Sequence, residues 1–258
     1  MARFFVALPF AVATEYDLPE NVTRHLNVLR IRVNQIITLF NGNGRDYSAQ
    51  VIELNKRSAR VQVLQELTLA TEASLEICLC LSIIASDKFD LVLQKAVELG
   101  VSQIIPVYSQ NTQRFNSAKL PTRLEHWHKV IIAASEQCGR ARLATLDAPR
   151  DFAELVNDSS DACGIKLLLS PHHQSKVDWG ATRATGATHG DAHRDGAAHH
   201  HGVKLLIGPE GGFSSAEVNL AVAQGFQAVA LGPRILRAET AAIVALSYIQ
   251  TLIGDFSG

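Results

Sequence analysis

Leu205-Leu-Ile-Gly-Pro-Glu-Gly-Gly-Phe-Ser214 and Leu231-Gly-Pro-Arg-Ile-Leu-Arg-Ala-Glu-Thr-Ala241 carry two Gly-Pro turns, each placed where a strand ends and a helix begins. Glycine lets backbone approach a ligand closely and reach positive φ, whereas proline fixes φ and removes a donor. Two such turns side by side predict a backbone-lined pocket at the carboxyl edge of a sheet, where open α/β folds bind their ligands. The local signals around them agree. Leu205–Ile207 is an apolar strand, Ser214 and Glu217 have capping-box spacing, and Phe213 and Val218 occupy the hydrophobic-staple positions of the same helix. Gly225 ends that helix, Phe226–Leu231 returns as a strand, and Thr240–Ile253 forms a closing helix stopped at Gly254.

Upstream of this segment the same β/α alternation extends back to Leu75. Leu75–Ile84 is a continuous apolar run of buried-strand type. Asp87 stands where a helix cap is needed, and Phe89, Val92, Leu93, Ala96 and Val97 follow the helical period up to Gly100. Gln103–Val107 is a strand, Pro121 opens a helix with Leu124, Trp127, Ile131, Ala134 and Cys138 on one face, and Ile165–Leu169 is a further buried strand. Residues 1–70 follow a different grammar. A strand at Arg3–Leu8 and a short helix at Pro19–Leu29 precede strands Gln35–Phe40 and Asp46–Leu54, which flank the hairpin signal Asn41-Gly42-Asn43-Gly44; Ala59–Leu64 is one more strand. The expected organisation is a small β-barrel or sandwich domain over 1–70 and an α/β domain over 71–258, interrupted by a Gly/Ala/Thr/His-rich insert at about 180–202.

Bulk properties narrow the function classes. An apolar fraction of 47% with 19% charged residues is a globular composition. A net charge of −1 gives no global nucleic-acid signal, although residues 1–70 hold eight Lys/Arg against six Asp/Glu. Four cysteines with no framework spacing fit a reducing, cytoplasmic compartment. The opening residues have one Arg, a short apolar run and a small-x-small string at Ala11–Ala13, but Pro9 interrupts the run, so they read as a first strand rather than a signal peptide. No stretch approaches the ~20 apolar residues of a membrane span. His189, His193 and His199–His201 lack carboxylates or cysteines at ligand spacing and read as part of a solvated insert, so no metal site is expected.

The glycine turns match none of the common phosphate or hydrolase signatures. Gly208-Pro-Glu-Gly-Gly has no P-loop lysine and is not Gly-x-Gly-x-x-Gly, and neither a Gly-x-Ser-x-Gly elbow nor a His-Glu-x-x-His helix occurs. The two strings instead resemble the RsmE family of small-subunit ribosomal RNA (uracil-N3) methyltransferases in the SPOUT superfamily. Further matches are His25-Leu-Asn-Val-Leu-Arg30, Lys88, Gln94-Lys-Ala-Val-Glu-Leu-Gly-Val101, Ile105-Pro106 and Ser135-Glu-Gln-Cys-Gly-Arg140, so the resemblance covers nearly the whole chain. One loop departs from the family pattern. Ser109-Gln110-Asn111-Thr112 stands where a Ser-Glu-Arg string is expected, with Arg114 close enough to substitute.

The resemblance implies a PUA-like N-terminal β domain for RNA recognition, an α/β domain with a C-terminal trefoil knot, bound S-adenosylmethionine (SAM), and a homodimer acting on 16S rRNA of the 30S subunit to give N3-methyluridine. Its implied cofactor residues are Leu168, Leu169, Ser170, Ile207, Gly208, Pro209, Gly211, Gly212, Leu231, Gly232, Ile235, Leu236 and Ala238. Loss of the uracil N3 proton leaves an anion that a cation would stabilise, which nominates Arg237 and then Arg140, with Glu239 or Glu210 as proton acceptor. Arg3, His25, Arg30, Lys88 and Arg114 are the expected RNA contacts. Each assignment has a structural competitor: Glu210 and Glu239 as complements of helix N-termini, Arg234 and Arg237 as their ion-pair partners, and Lys88 as a solvated helix face. Two other functions fit the same motifs, namely a SPOUT enzyme modifying ribose 2′-O or another base, and a non-catalytic RNA-binding assembly factor.

Overall fold

The computed structural model describes residues 2–68, 71–159, 163–171 and 202–256. The expected His-rich insert lies outside them, apart from Gly202, which opens a strand. Two compact units form, Met1–Glu72 with Ile132–Leu143, and Ala73–Ile131 with Ala144–Gly258.

In the first unit, β1 (Arg3–Phe5), β2 (Glu15–Leu18), β3 (Ile36–Phe40), β4 (Asp46–Leu54) and β5 (Ala59–Leu67) make one sheet in the order β1-β3-β4-β5-β2, with α1 (Glu20–Val28) beside it. The β1–β3 pair is parallel and the others antiparallel. The hairpin over Asn41–Gly44 has the expected place, with Phe40 opposite Asp46. Phe4, Leu26, Ile37, Leu39 and Val51 are wholly buried in its core. β2 was not foreseen: it is four residues long and is defined by pairing Tyr16 with Val61 and Leu18 with Ala59, not by its own pattern.

Glu136 is tied into this unit by accepting a 2.9 Å hydrogen bond from the Phe5 amide. Burial raises its carboxyl above the ordinary range, against the opposing effects of that bond and of His25 and Arg3. A carboxyl whose folded pKa is raised binds protons more readily folded than unfolded, so stability falls as pH rises from its ordinary value through its raised value. Glu136→Gln keeps an acceptor for Phe5 and removes this slope. Urea midpoints measured from mildly acidic to neutral pH are expected to decline less in the variant; an identical slope would overturn the assignment.

The second unit carries an all-parallel sheet. Its strands are β6 (Glu76–Ser82), β7 (Gln103–Tyr108), β8 (Thr145–Leu146), β9 (Arg150–Asp151), β10 (Ile165–Leu169), β11 (Gly202–Ile207) and β12 (Gln227–Val229). The order is β12-β10-β11-β6-β7-β8, with β9 also on β7. Its helices are α2 (Ser86–Glu98), the first turns of α3 (Leu120–Cys138), α4 (Phe152–Val156), α5 (Ser215–Ala223) and α6 (Ala238–Ile253). Every residue of β11 is buried, as a strand covered on both faces requires. Asp87 does not cap α2: the N-cap is Ala85, with no capping side chain of its own, and Asp87 lies in the first turn. The expected strand Phe226–Leu231 contracts to Gln227–Val229, because Ala230 and Leu231 already belong to the loop that follows. Among the described residues no helix is long and apolar enough to cross a membrane.

Parallel register brings three strand ends together. Leu168 pairs with Leu206 and Leu169 with Val229, so β10, β11 and β12 finish side by side and release their loops on one edge.

Candidate active site

Those three loops enclose a cleft of about 480 Å³, within the range of roughly 300–1,000 Å³ usual for small-molecule sites. The loop after β10 enters at Ser170, whose amide donates to the Val229 carbonyl at 2.9 Å. In the loop after β11, Gly212 closes a tight turn by donating to the Pro209 carbonyl at 2.8 Å and adopts φ +67°, a left-handed conformation that favours glycine. A side chain at Gly208 would place its Cβ 3.3 Å from the Phe213 ring, so glycine there lets that ring close the wall. The capping box of Ser214 and Glu217 then starts α5, with both reciprocal bonds made. The loop after β12 runs through Gly232 to Arg237, the N-cap of α6.

The walls are apolar side chains, glycine backbone and four charged groups: Lys88, Glu210, Arg234 and Arg237. Glu210 accepts from the Ala85 amide at 3.4 Å and lies 3.7 Å from the Lys88 ammonium. It therefore complements the N-terminus of α2, a helix distant in sequence, instead of the helix that follows it. Arg234 and Arg237 are exposed and have no side-chain partner among the described residues. The expected scaffolding pairs with Glu210 or Glu239 are not formed.

Residues 71–250 match the family model described as an RNA methyltransferase domain, and residues 18–64 match that of an RNA methyltransferase PUA domain. The chain belongs to the ribosomal RNA small subunit methyltransferase E family. It is similar to the structure of ribosomal RNA small subunit methyltransferase E from Neisseria gonorrhoeae bound to S-adenosyl methionine, at 36% identity and TM-score 0.86, with 99% of each chain covered. A Legionella pneumophila protein in complex with bound SAM matches at 31% identity and TM-score 0.85, with 98% of each chain covered. Ribosomal RNA small subunit methyltransferase E of Synechocystis sp. is 29% identical over 259 residues, covering 98% of this chain and 80% of the relative.

In this methyltransferase E family member the cleft gathers Leu169, Ser170, Ile207, Gly208, Pro209, Gly211, Gly212, Leu231, Gly232, Ile235, Leu236 and Ala238, with Glu210 and Arg237. Leu168 is a correction. Side chains alternate along a strand, so Leu168 turns to the opposite face from Leu169 and is wholly buried in a core with Phe152, Val218 and Phe226. Glu239 lies in the first turn of α6 outside the cleft wall, and its buried Oε2 finds no hydrogen-bond partner among the described residues.

Arg140 is not in the cleft wall either. It is buried in the first unit, where its Nε donates to Glu72 at 3.1 Å, and Glu72 also accepts from the amides of Ala141 and Arg142. Arg3 is largely covered, its side chain 10% exposed, and its guanidinium is engaged by Asp46. Lys88 lines the cleft instead of a solvated face, and Arg114 is engaged by Asp151 and lies over the Tyr108 ring. His25 and Arg30 are exposed on the first unit. Arg234, Phe213 and Val229 are wall residues that sequence reasoning left out, although Arg234 sits inside the second Gly-Pro motif.

Proposed function

We propose that this protein methylates N3 of a uridine in 16S rRNA of the small ribosomal subunit, using SAM. The observation that carries the reading is the cleft itself: two Gly-Pro loops at adjacent strand ends, with unpartnered arginines at its mouth, in a chain of this family. The residues fit SAM. Leu169, Ile207, Leu231 and Leu236 offer an apolar bed for an adenine, and the glycine turns offer backbone donors and acceptors at close approach.

When bound, SAM supplies an already activated methyl group, so the protein's work is mainly positioning and charge control. Arg237 stabilises the uracil anion formed when N3 loses its proton. Glu210, the carboxylate of the wall, receives that proton directly or through water, with Lys88 holding it in place. Glu239, outside the cleft wall with its unpartnered oxygen buried, is not placed to share that role.

The chain passes from β11 on one side of β10 to β12 on the other, a path consistent with a trefoil knot formed by the cleft loops. The 1–70 domain presents His25 and Arg30 to RNA, and 71–258 performs the chemistry in the cytoplasm. Val244 and Tyr248 on α6, with Ile235, leave apolar surface exposed for a second copy of the chain, and sedimentation of a monomer at assay concentration would contradict the homodimer.

The test is methyl transfer from labelled SAM to 30S subunits lacking the modification, followed by nucleoside mass spectrometry. N3-methyluridine is expected. Ribose 2′-O-methylation or another methylated base would replace the reaction assigned here, and a folded protein that fails to bind SAM would leave only an RNA-binding assembly role.

A further inference from the structure

The loop after β7 carries the string that departs from the family pattern, Ser109-Gln110-Asn111-Thr112, and it is bonded directly to the first glycine turn. The Asn111 Nδ2 group donates to the Gly211 carbonyl at 3.2 Å and to the Gly212 carbonyl at 3.0 Å. Both partners can only accept, so the amino end of the carboxamide must face them. A Cβ on Gly211 would lie 3.3 Å from Asn111 Cβ, so the glycine permits this approach. The loop is pinned further by the Gln110 amide, which donates at 2.7 Å to Glu217 Oε1, while the other carboxylate oxygen of Glu217 closes the α5 capping box. Within the loop, the Ser109 and Thr112 hydroxyls lie 2.7 Å apart and the Thr112 amide donates to the Ser109 carbonyl.

The consequence follows from the planarity of the peptide bond. Because the Gly212 carbonyl points at Asn111, the Phe213 N–H of the same trans peptide points the opposite way. That N–H belongs to a cleft-wall residue and makes no hydrogen bond among the described residues. Asn111 thus fixes the direction of a free backbone donor and bonds the carbonyls of Gly211 and the left-handed Gly212, without itself being a wall residue of the cleft.

We propose that Asn111 is a positioning residue for the cofactor. Its carboxamide orients the Gly211–Phe213 backbone so that the turn meets SAM preorganised. The inference rests on the SAM reading given under Proposed function. Asn111→Asp keeps the size, removes the donor and sets a carboxylate against two carbonyls, whereas Asn111→Gln keeps the donor on a longer stem.

Calorimetry with SAM on the full chain is expected to show Kd raised about tenfold or more in Asn111→Asp. The Gln variant is expected to lie between it and wild type, with turnover at saturating SAM within about threefold of wild type in both. Wild-type binding with an unchanged Kd in Asn111→Asp overturns the proposal. So does an affinity loss that tracks an equal fall in the unliganded unfolding midpoint in both variants. Failure of the wild-type chain to bind SAM overturns the underlying functional reading instead.

Discussion

Arg237→Ala is expected to lower turnover about 10²–10³-fold while leaving the Kd for SAM within about threefold of wild type, the size of effect seen when one preorganised donor to a developing anion is removed. Arg237 is the N-cap of α6, held in extended conformation, and its carbonyl accepts from the Ala241 amide. These are backbone features that alanine retains, so the helix start survives the substitution. The side chain is exposed in the cleft wall and has no carboxylate partner among the described residues, so its charge is available to a substrate and no protein ion pair is broken. Arg237→Lys keeps the charge and loses the planar fork, and it is expected to recover only part of the rate. Calorimetry for SAM binding and single-turnover methyl transfer separate the two quantities. A Kd that rises in step with the loss of rate would make Arg237 a cofactor-binding residue and would move the catalytic role to its unpartnered neighbour Arg234.

What the sequence disclosed was what short-range physics controls. The capping box at Ser214 and Glu217 is complete within four residues, and the predicted bounds of β4 and β10 match the structure because each strand is a patterned run with a clear stop. The cleft was legible for the same reason: both Gly-Pro turns announce strand ends, and most of the lining lies in the two strings that contain them. What the sequence withheld depends on partners far along the chain. Glu210 serves α2 through Ala85, 125 positions away, and Asn111 reaches Gly211 across 100 positions. Neither residue type at its place says which backbone it will meet. Arg3 and Arg140 were opaque for a third reason. They look like surface cations until Asp46 and Glu72 are placed beside them, and a charge's burial is a property of its partner as much as of itself.

Asp46→Ala is expected to cost the first unit about 3–5 kcal/mol, because it leaves a largely covered guanidinium without its counter-charge. The arrangement around Arg3 explains the size. Its side chain is 10% exposed and that of Asp46 1%. Nε donates to Asp46 Oδ2 at 3.1 Å and Nη2 to Oδ1 at 2.5 Å, a bidentate fork, while Nη1 donates to the Ser135 carbonyl at 2.8 Å and both Nη groups reach the Arg140 carbonyl at 3.3 Å. All five donors of the guanidinium are therefore used, and its carbon sits 4.5 Å from the Phe40 ring centroid. Removing the carboxylate strands the two donors that faced it. Asp46→Asn retains one acceptor and is expected to fall between. The double variant Arg3→Met, Asp46→Leu removes both charges and is expected to recover most of the loss, since a buried pair contributes far less net stability than breaking it costs. Urea denaturation of the four proteins, followed by a probe confined to the first unit, gives the comparison. A loss under about 1 kcal/mol in Asp46→Ala would mean that the pair is solvated and would return Arg3 to the RNA-binding surface. If the large loss is found, an RNA-affinity defect in an Arg3 variant must be read as a folding defect, and the electrostatic footprint of this unit rests on exposed cations such as Arg30.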